Sequence, residues 1–247
     1  MARYKLILEY DGTAYHGWQQ QPGGQATVEG TVRTAIERIT GELPRLQAAG
    51  RTDAGAHSLG QTVSFDLERE LAPARLRESL NAVLPSDVAV RDAGTVDAAF
   101  HARFSARRRT YRYLVENRVD RSPLLRDRAW HVRRPLELVA MREAAAPLLG
   151  EHDLAAFGFD PAGRSTVRNM HGLRVRTLRS AGGVLVAFDL TANAFLYGMV
   201  RRMVGFLVEV GLGRREAGET AALLQPGARA AARVAPARGL YQLAVEY

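Results

Sequence analysis

The sequence predicts an α+β protein of two similar halves, each a mostly antiparallel mixed sheet flanked by helices. Three observations carry that expectation. Runs of strand length are interleaved with segments whose apolar residues recur at helical spacing. The Gly182–Gly183 pair between two strand-like runs signals a hairpin. Strands and helices come in mixed order with hairpins, which favours an antiparallel sheet over a doubly wound parallel one. The 247 residues suffice for one large domain or two small ones, and an apolar share of 47% is ordinary for a chain with a real core. A boundary near Phe104–Arg107 divides the chain into residues 1–105 and 106–247, with no sequence repeat strong enough to claim duplication.

In the first half, Tyr4–Tyr10 reads as a buried strand ending at the Asp11–Gly12 turn. Thr27 is placed to cap a helix whose apolar positions Val28, Val32, Ala35, Ile36 and Ile39 repeat at helical spacing, and Gly41 ends it. Pro44–Ala49 reads as a second strand leading into Gly50-Arg51-Thr52-Asp53-Ala54-Gly55, and Gln61–Leu67 as a third. Pro73 suits the start of a helix that Pro85 stops, and Val88–Ala93 is another strand. In the second half, strands are expected at Thr110–Glu116, Arg128–Val132, Leu173–Arg179, Val184–Thr191 and Leu240–Glu246. Helices are expected at Leu136–Leu149 and Ala194–Leu212, with a short helix and loops over Gly213–Pro236.

A net charge of +8 and a pI near 10.4 point to a polyanionic partner, nucleic acid first. Lys5 is the only lysine, so arginine carries the charge. Its planar fork suits phosphates and bases, although a coding bias toward arginine explains the imbalance between the two cations. Without cysteine there are no disulfides, thiolate metal sites or thiol nucleophiles, which is compatible with the cytoplasm. The N-terminus has no signal-peptide pattern, and no apolar stretch approaches the ~18 residues of a membrane span.

Three segments are able to carry chemistry. Asp53 lies between Gly50 and Gly55 just after a strand, where glycine permits tight turns and close approach of a ligand. Arg51, two residues earlier, is placed to lower the carboxyl pKa or to hold substrate phosphate. An ordinary Asp turn gives the same pattern. In Arg107–Tyr113, strand alternation puts Arg107, Arg109, Tyr111 and Tyr113 on one face, either a station for a stacked base or a core face with arginines reaching solvent. Arg201 sits in an apolar helix where a buried cation needs a partner; Asp53 is our candidate, and snorkelling to the surface is the alternative. Gly205, one turn on, leaves room beside the guanidinium. Gly163-Arg164-Ser165-Thr166 with Arg168 reads as a basic loop suited to RNA or simply as a solvated loop. His57, His101 and His131 have no metal-ligand spacing and read as structural.

Taken in order, several segments resemble the TruA-type pseudouridine synthases: Tyr10-Asp11-Gly12-Thr13 with Tyr15-His16-Gly17-Trp18-Gln19; Gly50–Gly55 with His57 and Gly60-Gln61; Phe100–Ala106; Tyr111-Arg112-Tyr113; Asn193–Tyr197 with Met199-Val200-Arg201 and Val204-Gly205; and Ala235-Pro236 with Gly239-Leu240-Tyr241. The resemblance covers nearly the whole chain; Ala56 and Ser58 beside His57 are small departures. It implies the pseudouridine synthase fold and isomerisation of uridine at positions 38, 39 and 40 of the tRNA anticodon stem-loop. Asp53 is then the nucleophile, attacking either C1′ of the ribose or C6 of the uracil. It also implies Tyr111 against the uracil and Leu240 packed near the target base, where a strand-core leucine is the alternative; from their own positions, Arg51 and Arg201 are expected at the substrate and Arg107, Arg109, Arg164 and Arg168 on RNA. No cofactor or metal is implied, and a homodimer is. Enzymes that modify uracil C5 through a cysteine adduct need a thiolate, which this chain lacks. A metal-dependent nuclease is a thinner reading, because Asp53 has no acidic neighbour in its motif. A non-catalytic RNA-binding module explains charge and aromatics but not a carboxylate set among arginines and glycines.

Overall fold

The computed structural model describes residues 1–180, 183–228 and 233–247. It divides into two compact units, one of Met1–Arg107 with Tyr241–Tyr247 and one of Arg108–Leu240. The first boundary falls two residues beyond the sequence expectation, and the closing strand returns to the first unit. Both units put helices against a largely antiparallel sheet with one parallel pair, an α+β architecture.

The first unit contains β1 (Ala2–Tyr10), α1 (Val28–Thr40), β2 (Gln47–Ala48), β3 (His57–Leu67), α2 (Pro73–Val83) and β4 (Val88–Thr95). Its sheet runs β4-β1-β3, with both neighbours antiparallel to β1 and β2 antiparallel to β3. Tyr241 and Gln242 of the last strand pair in parallel with His57 and Ser58. Gly60 permits that approach, because a Cβ there would lie 2.4 Å from the Leu243 carbonyl oxygen. The helix ends follow local chemistry. Thr27 Oγ1 accepts from the Gly30 N–H, and Gly41 closes α1 in the left-handed conformation at φ 77°. Pro73 opens α2, where its missing N–H costs nothing. Alternation along β1 buries Tyr4, Leu6 and Leu8 with Val32, Ile36, Leu76 and Leu80 from the helices. Each such side chain contributes about 1.5–3 kcal/mol by leaving water.

The second unit contains β5 (Arg108–Asn117), β6 (Trp130–Val132), α3 (Leu138–Ala145), β7 (Gly150–Asp153), β8 (Val167–Ser180), β9 (Gly183–Ala192), α4 (Met199–Gly211) and α5 (Glu219–Leu223). The sheet order is β5-β9-β8-β7, all antiparallel, with β6 parallel to β5. Gly182 of the expected hairpin turn lies outside the described residues. The helix expected over Leu136–Leu149 is shorter, because Pro147 turns its end into a 3-10 segment at Ala146–Leu148. The helix expected from Ala194 begins only at Met199. Asn193 Oδ1 accepts from the Asn169 and Ala194 N–H groups, Tyr197 bridges Phe159, and Gly198 is left-handed at φ 71°. A side chain that satisfies local backbone groups competes with helix. The remainder, β10 (Leu240–Glu246), completes the chain. Tyr113, Phe157, Phe188, Met203, Phe206 and Leu207 are fully buried in this unit's core.

Candidate active site

Asp53 occupies a turn between β2 and β3 in the first unit, where its carbonyl accepts from Ala56 N–H at 3.0 Å and Gly55 takes φ 78°. The N-terminal motif forms the bed under that turn. Tyr10 Oη is 2.8 Å from Thr52 Oγ1, both buried. Trp18 N–H donates to Thr52 O at 3.0 Å, and Gly55 N–H donates to Tyr15 O at 3.2 Å. Two glycines let the chains close. A Cβ on Gly12 would stand 1.8 Å from Ala56 O, and one on Gly17, at φ 90°, 2.8 Å from Thr52 O. From the other end, Gln61 Nε2 donates to Gly50 O at 2.7 Å, while Gln242 Nε2 donates to Gln61 Oε1 at 3.2 Å. The buried residues Thr52 and Ala56 therefore bracket a half-buried Asp53, and Arg51 is exposed beside it.

His57 is buried under the turn, its ring stacked on Tyr241 at 4.7 Å. Its Nδ1 is 3.2 Å from Gly12 N and 3.0 Å from Asp11 Oδ1. A proton on Nδ1 donates to Asp11; a proton on Nε2 leaves Nδ1 to accept from Gly12. Either way the imidazole braces the motif, which is the structural role expected for it. Tyr15 Oη donates to Asp87 Oδ1 at 2.8 Å, and burial together with that carboxylate pushes the phenol up to about 12.

In the second unit, β5 turns Arg109, Tyr111, Tyr113 and Val115 to its buried face. Tyr111 is 7% exposed and meets Phe195 edge-on at 4.9 Å between centroids. Tyr113 is core, as expected; its hydroxyl donates to Pro236 O at 2.6 Å, and burial raises its pKa against the pull of Arg201 and Arg238. Arg201, half-buried on α4, donates from Nε to Ala235 O at 2.7 Å, and Ala235 N–H returns a bond to Arg201 O at 3.1 Å. The space beside Gly205 does not serve the guanidinium as expected. The backbone of Arg233 fills it, and a Cβ on Gly205 would fall 1.8 Å from Arg233 O, so this glycine lets residues 233–235 lie on α4. Leu240 is buried at 6% exposure.

The basic residues divide by environment. Arg107 is exposed. Arg109 is buried instead, and its Nη1 donates to Asn193 O at 2.7 Å, which ties it to the Asn193 loop. Arg164 and Arg168 converge on one carboxylate, with Nη2 atoms 3.0 Å and 3.6 Å from Asp160 Oδ2. Arg164 is exposed, whereas Arg168 is largely enclosed and also donates to Ser165 O and Val167 O. Hydrogen bonds from Ala162 N–H and Arg164 hold Asp160 below the usual carboxylate range. Tyr10, Gly12, Gly17 and Tyr241, to which the sequence alone assigns no role, are the residues that seat the Asp53 turn and its His57 brace. Their spacing from Asp53 gives no sign of contact; only their place in the motifs does.

No group of three or more His, Asp and Glu residues among the described residues is arranged to hold a metal ion. No helix among them is long and apolar enough to cross a membrane. A family model described as tRNA pseudouridine synthase matches residues 6–105 and 144–247. The matched stretches contain Asp53, Arg201 and Leu240; Tyr111 lies between them. The chain is similar to a tRNA pseudouridine synthase A of Geobacter sulfurreducens, 43% identical over 242 residues and covering 97% of each chain. One from Acetivibrio thermocellus is 40% identical over 252 residues, covering all of both chains. One from Roseiflexus castenholzii is 42% identical over 247 residues, covering all of this chain and 91% of the relative.

Proposed function

We propose that this chain, which belongs to the tRNA pseudouridine synthase family, isomerises uridine to pseudouridine at positions 38, 39 and 40 of the tRNA anticodon stem-loop, with Asp53 as nucleophile. The observation that supports this most is the bed beneath Asp53. Gly12, Tyr15, Gly17, Trp18 and Gln61 all meet the backbone of one turn, Tyr10 holds its Thr52 hydroxyl, and the turn carries one carboxylate. So many buried contacts to an irregular loop are what a reaction needs that must hold its nucleophile in place.

The chemistry breaks the N1–C1′ bond, turns the uracil and forms C1′–C5. The C5 proton leaves to solvent and N1 gains one. The Asp53 carboxylate attacks C1′ or C6; in either route it is regenerated, and no net redox change or co-reactant is required. A uridine inside a stem must leave the stack to be reached, and unstacking costs a few kcal/mol. We assign Tyr111 to stacking on the flipped uracil, Leu240 to its apolar side, Arg51 and Arg201 to the substrate, and Arg107 and Arg164 to RNA phosphates, with Arg168 supporting Arg164. Binding then weakens steeply with salt. A cytoplasmic homodimer that takes tRNA without metal or cofactor completes the proposal.

The test is tritium release from tRNA labelled at uridine C5, run with and without EDTA. Release with intact RNA and no EDTA effect is expected. Cleaved RNA, or binding without release, points to the nuclease or the non-catalytic binder instead. Tyr111→Phe is expected to keep the stacking surface and part of the activity, and Tyr111→Ala to lose most of it; equal rates would remove Tyr111 from the uracil.

A further inference from the structure

The Phe100–Ala106 motif holds an aromatic ring in solvent on a fixed support. Phe104 is 71% exposed in the first unit. A lone exposed apolar side chain needs no explanation, but the backbone beneath this one is tied at nearly every position. His101 Nδ1 accepts from Arg103 N–H at 3.1 Å and Phe104 N–H at 3.4 Å. Ser105 Oγ accepts from His101 N–H at 3.0 Å, and Ser105 N–H donates to His101 O at 2.9 Å. The Ala102 N–H donates to Ser64 Oγ, and the Tyr247 hydroxyl donates to Ala102 O at 2.8 Å. Arg3 Nη1 donates to Phe100 O at 3.0 Å. Burial, with Arg3 and Arg103 assisting, holds His101 below its ordinary 6.5, which keeps the accepting lone pair at neutral pH.

The ring's surroundings select its ligand. The His101 ring lies 4.4 Å from that of Phe104, and the Arg103 guanidinium carbon is 5.7 Å from the Phe104 centroid. Arg103 and, three residues on from the ring, Arg107 are exposed, in a chain of net charge +8. An exposed π-face beside cations fits a nucleobase and its phosphate, because stacking needs only a flat ring and the arginines neutralise the backbone.

We propose that Phe104 is a stacking station for an unpaired base of the bound RNA, with Arg103 on the adjoining phosphate, outside the nucleotide that reacts. This rests on the reading of the protein as a tRNA-modifying enzyme. Nothing about the station requires catalysis, so direct binding tests it separately. Phe104→Ala is expected to weaken binding of a tRNA transcript about tenfold, within the range for losing one stacked base. The loss appears in KM rather than kcat. Phe104→Trp should retain affinity, and its indole emission should be quenched by tRNA beyond the change seen in the wild type. Arg103→Gln should lower the salt slope of binding by about one. Unchanged tRNA affinity in Phe104→Ala, or no added quenching in Phe104→Trp, overturns the proposal. So does a change in oligomeric mass in Phe104→Ala by sedimentation, which would give the ring to a second copy of this chain. A wild type that binds tRNA through Phe104 but releases no tritium retains the station and removes the enzymatic reading.

Discussion

Two of the segments singled out by sequence are loops, one around Asp53 and one around Arg164, and they are held in opposite ways. The Asp53 turn is fixed by buried contacts, to its backbone from Gly12, Tyr15, Gly17 and Trp18 and to the Thr52 hydroxyl from Tyr10. The loop around Arg164 is fixed through charge, by an exposed Arg164 and a largely enclosed Arg168 sharing Asp160. Buried close packing tolerates almost no displacement, whereas an ion pair made by an exposed arginine such as Arg164 is worth little and is screened by salt. The first arrangement suits a group that must meet a reacting atom; the second suits one that exchanges a protein carboxylate for an RNA phosphate.

The sharpest way to break this contrast is to add a methyl group to each loop. Gly12→Ala puts Cβ 1.8 Å from Ala56 O and is expected to cost about 3 kcal/mol or more, with most of the activity. Gly163→Ala meets no atom within 4 Å and bears only the strain of φ 68°, about 1 kcal/mol. Urea denaturation of the two variants measures the difference; equal losses would erase it. A smaller effect is expected for Tyr10→Phe, which leaves Thr52 Oγ1 without its 2.8 Å partner. It should lose about 1–2 kcal/mol and several-fold in kcat, with tRNA affinity retained. If kcat holds while stability falls, the hydroxyl serves folding alone.

Smaller again is the second loop. Arg164→Gln should weaken tRNA binding several-fold and reduce its salt slope by about one, as read by filter binding across a salt series. The smallest expected effect is acid sensitivity at Asp66, whose carboxyl the Arg3 guanidinium holds below its ordinary 3.8 with both hydrogen bonds in place. A depressed folded pKa stabilises above 3.8 and that contribution disappears as pH falls through the folded value. Asp66→Asn should flatten this part of the urea-midpoint profile; an unchanged slope would assign it elsewhere.

Much of this was legible in the sequence where structure is decided locally. Thr27 and Gly41 mark the ends of α1 because capping chemistry involves only neighbouring residues. The alternation of β5 correctly put Arg109, Tyr111 and Tyr113 on one face. What was not legible depends on distant partners. The four residues of β7, Gly-Glu-His-Asp, have no apolar alternation and are a strand only because β8 pairs with them. The return of Tyr241 and Gln242 to β3 cannot be read from order along the chain. The charge of Arg109 is visible in sequence, whereas its burial and the Asn193 carbonyl that its Nη1 reaches are not. Gly205 likewise signalled a close approach but not that residues 233–235 make it.

The central claim is that the carboxylate of Asp53 reacts. It is tested most directly by comparing the wild type with Asp53→Asn for tritium release from C5-labelled tRNA at saturating concentration. The substitution keeps the shape of the turn and removes the proposed nucleophile, so the variant should bind tRNA as the wild type does and release no tritium above background. Release at the wild-type rate would contradict the account and move the chemistry to another residue.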